Sequence, residues 1–221
     1  MASSGPRRAA GGELSAKAAE TRGALVAAAI AALQEVGFGG ASAREIARRA
    51  GCNQSLVFYH FGSVTELLLA ALDDVSARRL SAYQGVVANA STLSELIDSA
   101  RRIFSEDLDA GHVSVLVEMI TGAQSVAGLG AEVSERLAPW RDFAQSALRK
   151  ALAGSPVEAL LPATEVAHGV MAGLLGLELL ANLDDDRTAA LALFDRAGMI
   201  AGLLDMVGPS LPADLSPGAQ S

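Results

Sequence analysis

Residues 42–61, SAREIARRAGCNQSLVFYHF, constrain the fold more than any other stretch, because helix starts and stops follow one another at short intervals. Ser42 and Glu45 have the spacing of a capping box: the serine accepts from the amide three residues on, and the glutamate reaches back to the serine's own amide. Ile46, Ala47 and Ala50 then recur at helical spacing as one inward stripe, with Arg44, Arg48 and Arg49 off it, toward solvent or phosphate. Gly51 suits the left-handed residue that ends a helix, and Asn53 suits the N-cap of the next. Ser63 and Glu66 repeat the capping box just past Gly62. Such punctuation admits only short helices joined by tight turns, a compact helical head.

The second short helix is too polar and too aromatic to be plain core, which suggests a helix-turn-helix that reads DNA. Charge agrees. The chain is acidic, net −8, from 17 Lys+Arg and 25 Asp+Glu. Residues 1–66 hold seven Lys/Arg and five Asp/Glu, net +2, which leaves ten and twenty, net −10, for the remainder. A mildly basic head approaches phosphates while an acidic body is repelled by them.

The order of features resembles the N-terminal domain of the TetR (tetracycline-repressor) family of bacterial transcription regulators. TRGALVAAAIAALQEVGF is followed by an S-x-R-E-I-A-x-x-A-G helix, then by a short helix ending in Phe58, Tyr59, His60 and Phe61, then by the capped SVTELLLAALDD. The match covers about residues 20–72. The resemblance implies that the short helix enters the major groove, with Asn53, Gln54, Ser55 and Leu56 early in it and Tyr59 and His60 further along. Gln54 and Asn53 have the amide that pairs with adenine in bidentate fashion. Tyr59 and His60 suit phosphate oxygens, which position the helix without specifying sequence. Ser42 and Arg44 begin the preceding helix, where the backbone favours anions. Val57 and Phe61 are expected inside the head. Three positions depart from the family pattern: Leu56 stands for a small polar residue, Ser55 for a frequent Gly, and Val64 for a frequent phosphate-holding Lys. Leu56 either touches a thymine methyl or packs, and Val64 implies weaker backbone anchoring.

Beyond residue 65 the chain reads as helix throughout, with expected spans near 65–87, a capped start at Thr92–Glu95, 114–127, 134–153, 163–183 and 187–207. Gly169, Gly173 and Gly176 notch one face of a helix that also carries Leu174 and Leu177; Phe194, Gly198 and Ala201 form a matching stripe on the last. The resemblance implies that these two helices pair with their copies as a four-helix homodimer interface, so that two heads meet a palindromic operator. A membrane span is not expected, because His168 and Glu178 bound an uncharged core of about nine residues. Family members enclose a small-molecule pocket between head and interface, and Phe104, His112, Met119, Trp140 and Phe143 lie in helices suited to line one. With 4% aromatics, an aliphatic or acyl-type effector fits the composition as well as a stacked drug does.

No phosphate loop, metal-spaced cluster or nucleophile elbow appears, and His60, His112 and His168 stand about fifty residues apart. The expectation is therefore no enzyme, no cofactor and no metal. Asp184, Asp185 and Asp186 read as a solvated turn with N-cap duty. Cys52 is a lone thiol, which fits a reducing cytoplasm and excludes a disulfide framework. The reading is an all-α chain: a loose arm at 1–19, a helix-turn-helix domain at 20–66, a helical effector-binding and dimerisation domain at 67–208, and a loose tail at 209–221. Its expected partners are double-stranded operator DNA, a second copy and a small effector, with no membrane. The alternative is a helical ligand-binding or protein-interaction module without specific DNA recognition.

Overall fold

The computed structural model describes residues 7–110, 112–153, 162–184 and 186–206. Among these residues ten helices follow one another and no strand occurs: α1 Arg7–Gly40, α2 Ala43–Arg49, α3 Ser55–Phe61, α4 Val64–Val87, α5 Leu93–Ala110, α6 His112–Ala123, α7 Leu129–Arg136, α8 Ala138–Leu152, α9 Ala163–Asp184 and α10 Thr188–Met206. Two corrections to the expected spans have local causes. Residues 7–19 are helical and not a loose arm, because their Ala, Arg, Lys and Glu are strong helix formers that simply extend α1. Residues 1–6 and the tail at 209–221 lie outside the described residues. The helix expected over 134–153 is two helices, α7 and α8, parted at Leu137. Pro139 explains the break: it lacks an amide hydrogen and its ring collides with the carbonyl four residues back, so it is tolerated only in the first turn of α8.

The contacts divide the described residues into two compact units, the first from those up to residue 81 with α6 and α7, the second from residues 82–110 with α8, α9 and α10. This is not the expected division at residue 66, since α6 and α7 pack with the head. In the first unit Leu25, Ala29 and Leu33 of α1 meet Ile46 of α2, Val57 of α3, Leu67 and Leu68 of α4, and Val115 and Met119 of α6, all essentially without solvent exposure. α1 breaks at Gly37, whose φ of 71° is open to glycine at little cost. The amide of Phe38, just past the break, donates to Glu118 Oε2 of α6 at 2.8 Å.

In the second unit α5 is the central helix, packed by α8, α9 and α10. Phe104 of α5 is fully buried against Ala181, Ala190 and Phe194, with Leu174, Leu177 and Leu191 around them. The start of α5 is capped twice. Thr92 Oγ1 accepts from the amide of Glu95 at 3.3 Å, and Glu95 reaches back to the amide of Ser91 at 2.7 Å. Asp205, near the end of α10, accepts from the amides of Leu93 and Ser94, each at 3.0 Å, and from the Ser94 hydroxyl at 2.6 Å. Burial pushes the Asp205 carboxyl up, but these donors together with Thr92 outweigh it and hold it below the ordinary carboxylate range. At the other end of α10, Asp186 Oδ1 accepts from the Thr188 amide at 2.8 Å, the N-cap role expected of the Asp turn.

Candidate nucleic-acid interface

The turn between α2 and α3 is held by backbone hydrogen bonds at its start. The Cys52 amide donates to the Ala47 carbonyl at 3.0 Å and the Gly51 amide to that of Arg48 at 3.3 Å, the paired bonds of a Schellman motif. Gly51 sits at φ 65°, where an L side chain is strained, so the expected helix stop is also what aims α3. Ser42 Oγ accepts from the Glu45 amide at 3.2 Å, and Ser63 Oγ from the Glu66 amide at 3.0 Å.

The first capping box closes on one side only. The Ser42 amide donates to the Gly40 carbonyl, and the Glu45 carboxylate turns to Arg48, through Nε at 2.9 Å and Nη2 at 2.7 Å, and to Arg49 Nε at 2.7 Å. Two guanidiniums make stronger, charge-assisted bonds than one amide does. Those from Arg48, then Arg49, hold the Glu45 carboxyl down at about 2. Arg49 also bonds Glu35 of α1 at 2.7 Å, so it joins α1 to α2 and is not free for phosphate as its place off the stripe suggested. Arg48 remains largely exposed.

Along α3, Val57 is fully buried, while Leu56 and Phe61 are partly buried against the head's core, with Val64 of α4 beside them. Leu56 therefore packs in part on the head's core. With about 100° per residue, the side opposite Val57 carries Ser55 and Tyr59. Both are exposed, Tyr59 to 79%. His60 lies on the flank, its ring edge-on to Tyr59 at 5.0 Å, and the Arg22 guanidinium stands 4.8 Å over the Phe61 ring, tying α1 to the end of α3.

The two amides at the start of α3 are not equivalent. Asn53 Oδ1 accepts from the Ser55 amide at 2.9 Å, so one lone pair of its carbonyl and the orientation of its amide are fixed by the cap expected of it. A bidentate pair with adenine needs both the oxygen and the NH2 group. Gln54 makes no capping bond, and its amide keeps both groups. Arg44, Ala47, Arg48, Cys52, Asn53 and Gln54 line one shallow groove between α2 and α3, which places two guanidiniums beside the free amide. Arg48, expected off the inward stripe, lines this groove, and half of the Phe58 surface is exposed. Reading FYHF as a unit hides which of its aromatic rings point outward.

The other expected sites meet the structure unevenly. Met119 is fully buried in the first unit and Phe104 in the second, so the five pocket candidates do not form one cluster within either unit. Trp140 meets Phe143 at 6.4 Å between ring centres and Tyr83 at 5.5 Å. The His112 side chain lies outside the described residues. Of the interface candidates, Phe194 and Ala201 are buried and face inward, Leu174 and Leu177 pack on the same core, and Gly198 lies against Ile97 of α5. Gly169, Gly173 and Gly176 do lie on an open side of α9, with nothing near where a Cβ would stand. The large apolar residues exposed on these helices are others, among them Leu180 and Leu183 of α9, and Met199, Ile200, Leu203 and Met206 of α10. By length and hydropathy alone α9 and residues 15–40 would reach across a membrane, so the charged bounds of α9 do not settle the matter as expected. In α1 that apolar surface closes the head, and in α9 Glu178 is buried within its unit.

Residues 25–71 match the family model for bacterial regulatory proteins of the tetR family. No curated relative matches the chain by sequence. Among solved structures, the fatty acid degradation regulator FadR of Bacillus halodurans is similar at 16% identity, over 80% of this chain and 96% of that one, with a TM-score of 0.66. FadR of Bacillus subtilis, solved with stearoyl-CoA, is similar at 14% identity over 83% and 97%, with a TM-score of 0.68. A TetR-family member of Streptomyces coelicolor is similar at 24% identity over 80% and 97%, with a TM-score of 0.59. At these identities the likeness to the structures is one of fold.

Proposed function

We propose, from the match of residues 25–71 to the family model for bacterial regulatory proteins of the tetR family, that the chain is a member of that family and a homodimeric repressor released from its operator by a small effector. It is a sequence-specific DNA-binding transcriptional regulator. The observation that carries the reading is the open side of α3, where Ser55 and Tyr59 are exposed and Gln54 lines a groove with Arg44 and Arg48 at a hydrogen-bonded turn. Gln54 reads a base edge. Tyr59, His60 and the Ser42 and Arg44 end of α2 hold phosphates, and Arg48 joins them by releasing part of its bond to Glu45.

The two-fold partner is a second copy. Leu180, Leu183, Met199, Ile200, Leu203 and Met206 leave an apolar surface on α9 and α10 that a monomer has no use for, and Gly169, Gly173 and Gly176 give close approach along α9. This replaces Phe194, Gly198 and Ala201 as the contact stripe. Pairing of these helices accounts for the exposure without a membrane, and two heads fit half-sites about 34–36 Å apart. The effector site belongs to the helical body. An aliphatic or acyl-type molecule fits the composition, and FadR of Bacillus subtilis was solved with stearoyl-CoA. The protein works in the cytoplasm, as a binder and not an enzyme.

Footprinting of the purified full chain on DNA upstream of its own gene, across a salt series, tests the reading. A protected palindrome with a binding constant that falls steeply with salt is expected. Failure to bind any such fragment specifically at low salt overturns it.

A further inference from the structure

Phe58 is out of place for a packing residue. It is 51% exposed on a seven-residue helix whose buried side is already supplied by Val57, Leu56 and Phe61. Leaving half a phenylalanine in water forgoes on the order of 1–3 kcal/mol of burial, a cost with no return inside the head. Its position on α3 says what the ring meets. Gln54 has helical backbone angles (φ −58°, ψ −24°), so Phe58 follows it by one turn on the same side, with Ser55 and Tyr59 beside them toward the side opposite Val57. The ring is thus an apolar surface on the face that carries the base-reading amide.

The major groove offers one apolar group, the C5-methyl of thymine. We infer that Phe58 is a specificity-determining residue that packs on a thymine methyl next to the base read by Gln54. Four residues of helix rise span about 6 Å, and stacked bases on one strand are about 3.4 Å apart. The thymine therefore lies within about two base pairs of the Gln54 contact. The aromatic ring replaces a hydrogen-bonding reader by an apolar one: cytosine lacks the methyl, and a purine places polar atoms against the ring.

The inference rests on DNA reading by α3, and the test separates the two. Operator DNA is selected from a random pool by the full chain, and each thymine is then replaced by uracil, which removes only the methyl. For the wild type, one position within two base pairs of the base whose identity Gln54→Ala ceases to read should weaken binding by about fourfold, the value of one buried methyl. Phe58→Ala should bind the thymine and uracil duplexes alike, and Phe58→Leu should keep part of the difference. A uracil effect that persists undiminished in Phe58→Ala, or no uracil effect in that window, overturns the inference while leaving the repressor reading intact. Failure to select any specific DNA overturns both.

Discussion

Asn53 and Gln54 are neighbours with the same functional group, and the fold gives them different work. The Asn53 oxygen holds the Ser55 amide, whereas Gln54 projects unbonded from the helix start. Gln54→Ala should therefore relax specificity at one base pair, with a loss of about 1–3 kcal/mol on the preferred operator. Asn53→Ala should instead lower thermal stability by about 1 kcal/mol, as loss of a cap does, and weaken all DNA sequences alike. Competition binding against single-base operator variants distinguishes them; identical profiles for the two would refute the division of roles. Glu45 is the second residue whose work is readable at this scale. Its carboxyl is held at about 2 by Arg48 and Arg49, below its unfolded value, so its stabilisation is complete above the ordinary carboxylate range and is lost as pH falls toward 2. Acid unfolding of Glu45→Gln, followed by circular dichroism, should show a shallower loss of stability over that window than the wild type.

Among the helices, those with strong terminal signals were legible from residues alone. Ser42, Gly51, Ser63, Thr92 and Asp186 all act where the spacing of polar and glycine residues placed them, because a cap acts within one turn of itself. Gly51→Ala should cost about 1–2 kcal/mol for a non-glycine residue held at positive φ, and because Gly51 aims α3, operator affinity should fall along with the melting temperature. What one turn cannot show is a cap that arrives from far along the chain. Asp205 closes the start of α5 from more than a hundred residues away. Asp205→Ala should destabilise the protein by about 1–2 kcal/mol in denaturant titration at neutral pH. Since the Asp205 carboxyl is held below its ordinary range, the difference between variant and wild type should shrink on acidification below that range. Glu45 shows the same limit over a shorter distance: it has capping-box spacing, but two arginines compete for it.

For the molecule as a whole, dimerisation separates two surfaces of α10 that sequence spacing merges. Phe194→Ala should cost about 3–5 kcal/mol of fold stability, since it empties the core around Phe104. Ile200→Glu with Leu203→Glu should leave the helical content unchanged and yield monomers in analytical ultracentrifugation. Operator affinity should then drop on the order of 10²–10⁴-fold as two tethered heads become one. A dimer that survives both charges would place the interface elsewhere. The local order of helix, turn and reading helix in the head, the capping residues and the all-α class were determined by the sequence itself, because helical spacing, caps and proline act over a few residues. Three matters were decided only in three dimensions: the packing of α6 and α7 with the head, the commitment of Arg49 to holding the structure, and the outward side of α10. The reason is the same for each. α10 is apolar nearly all round, so its pattern carries no phase, and only α5 lying against Phe194 and Gly198 decides which side remains for a partner.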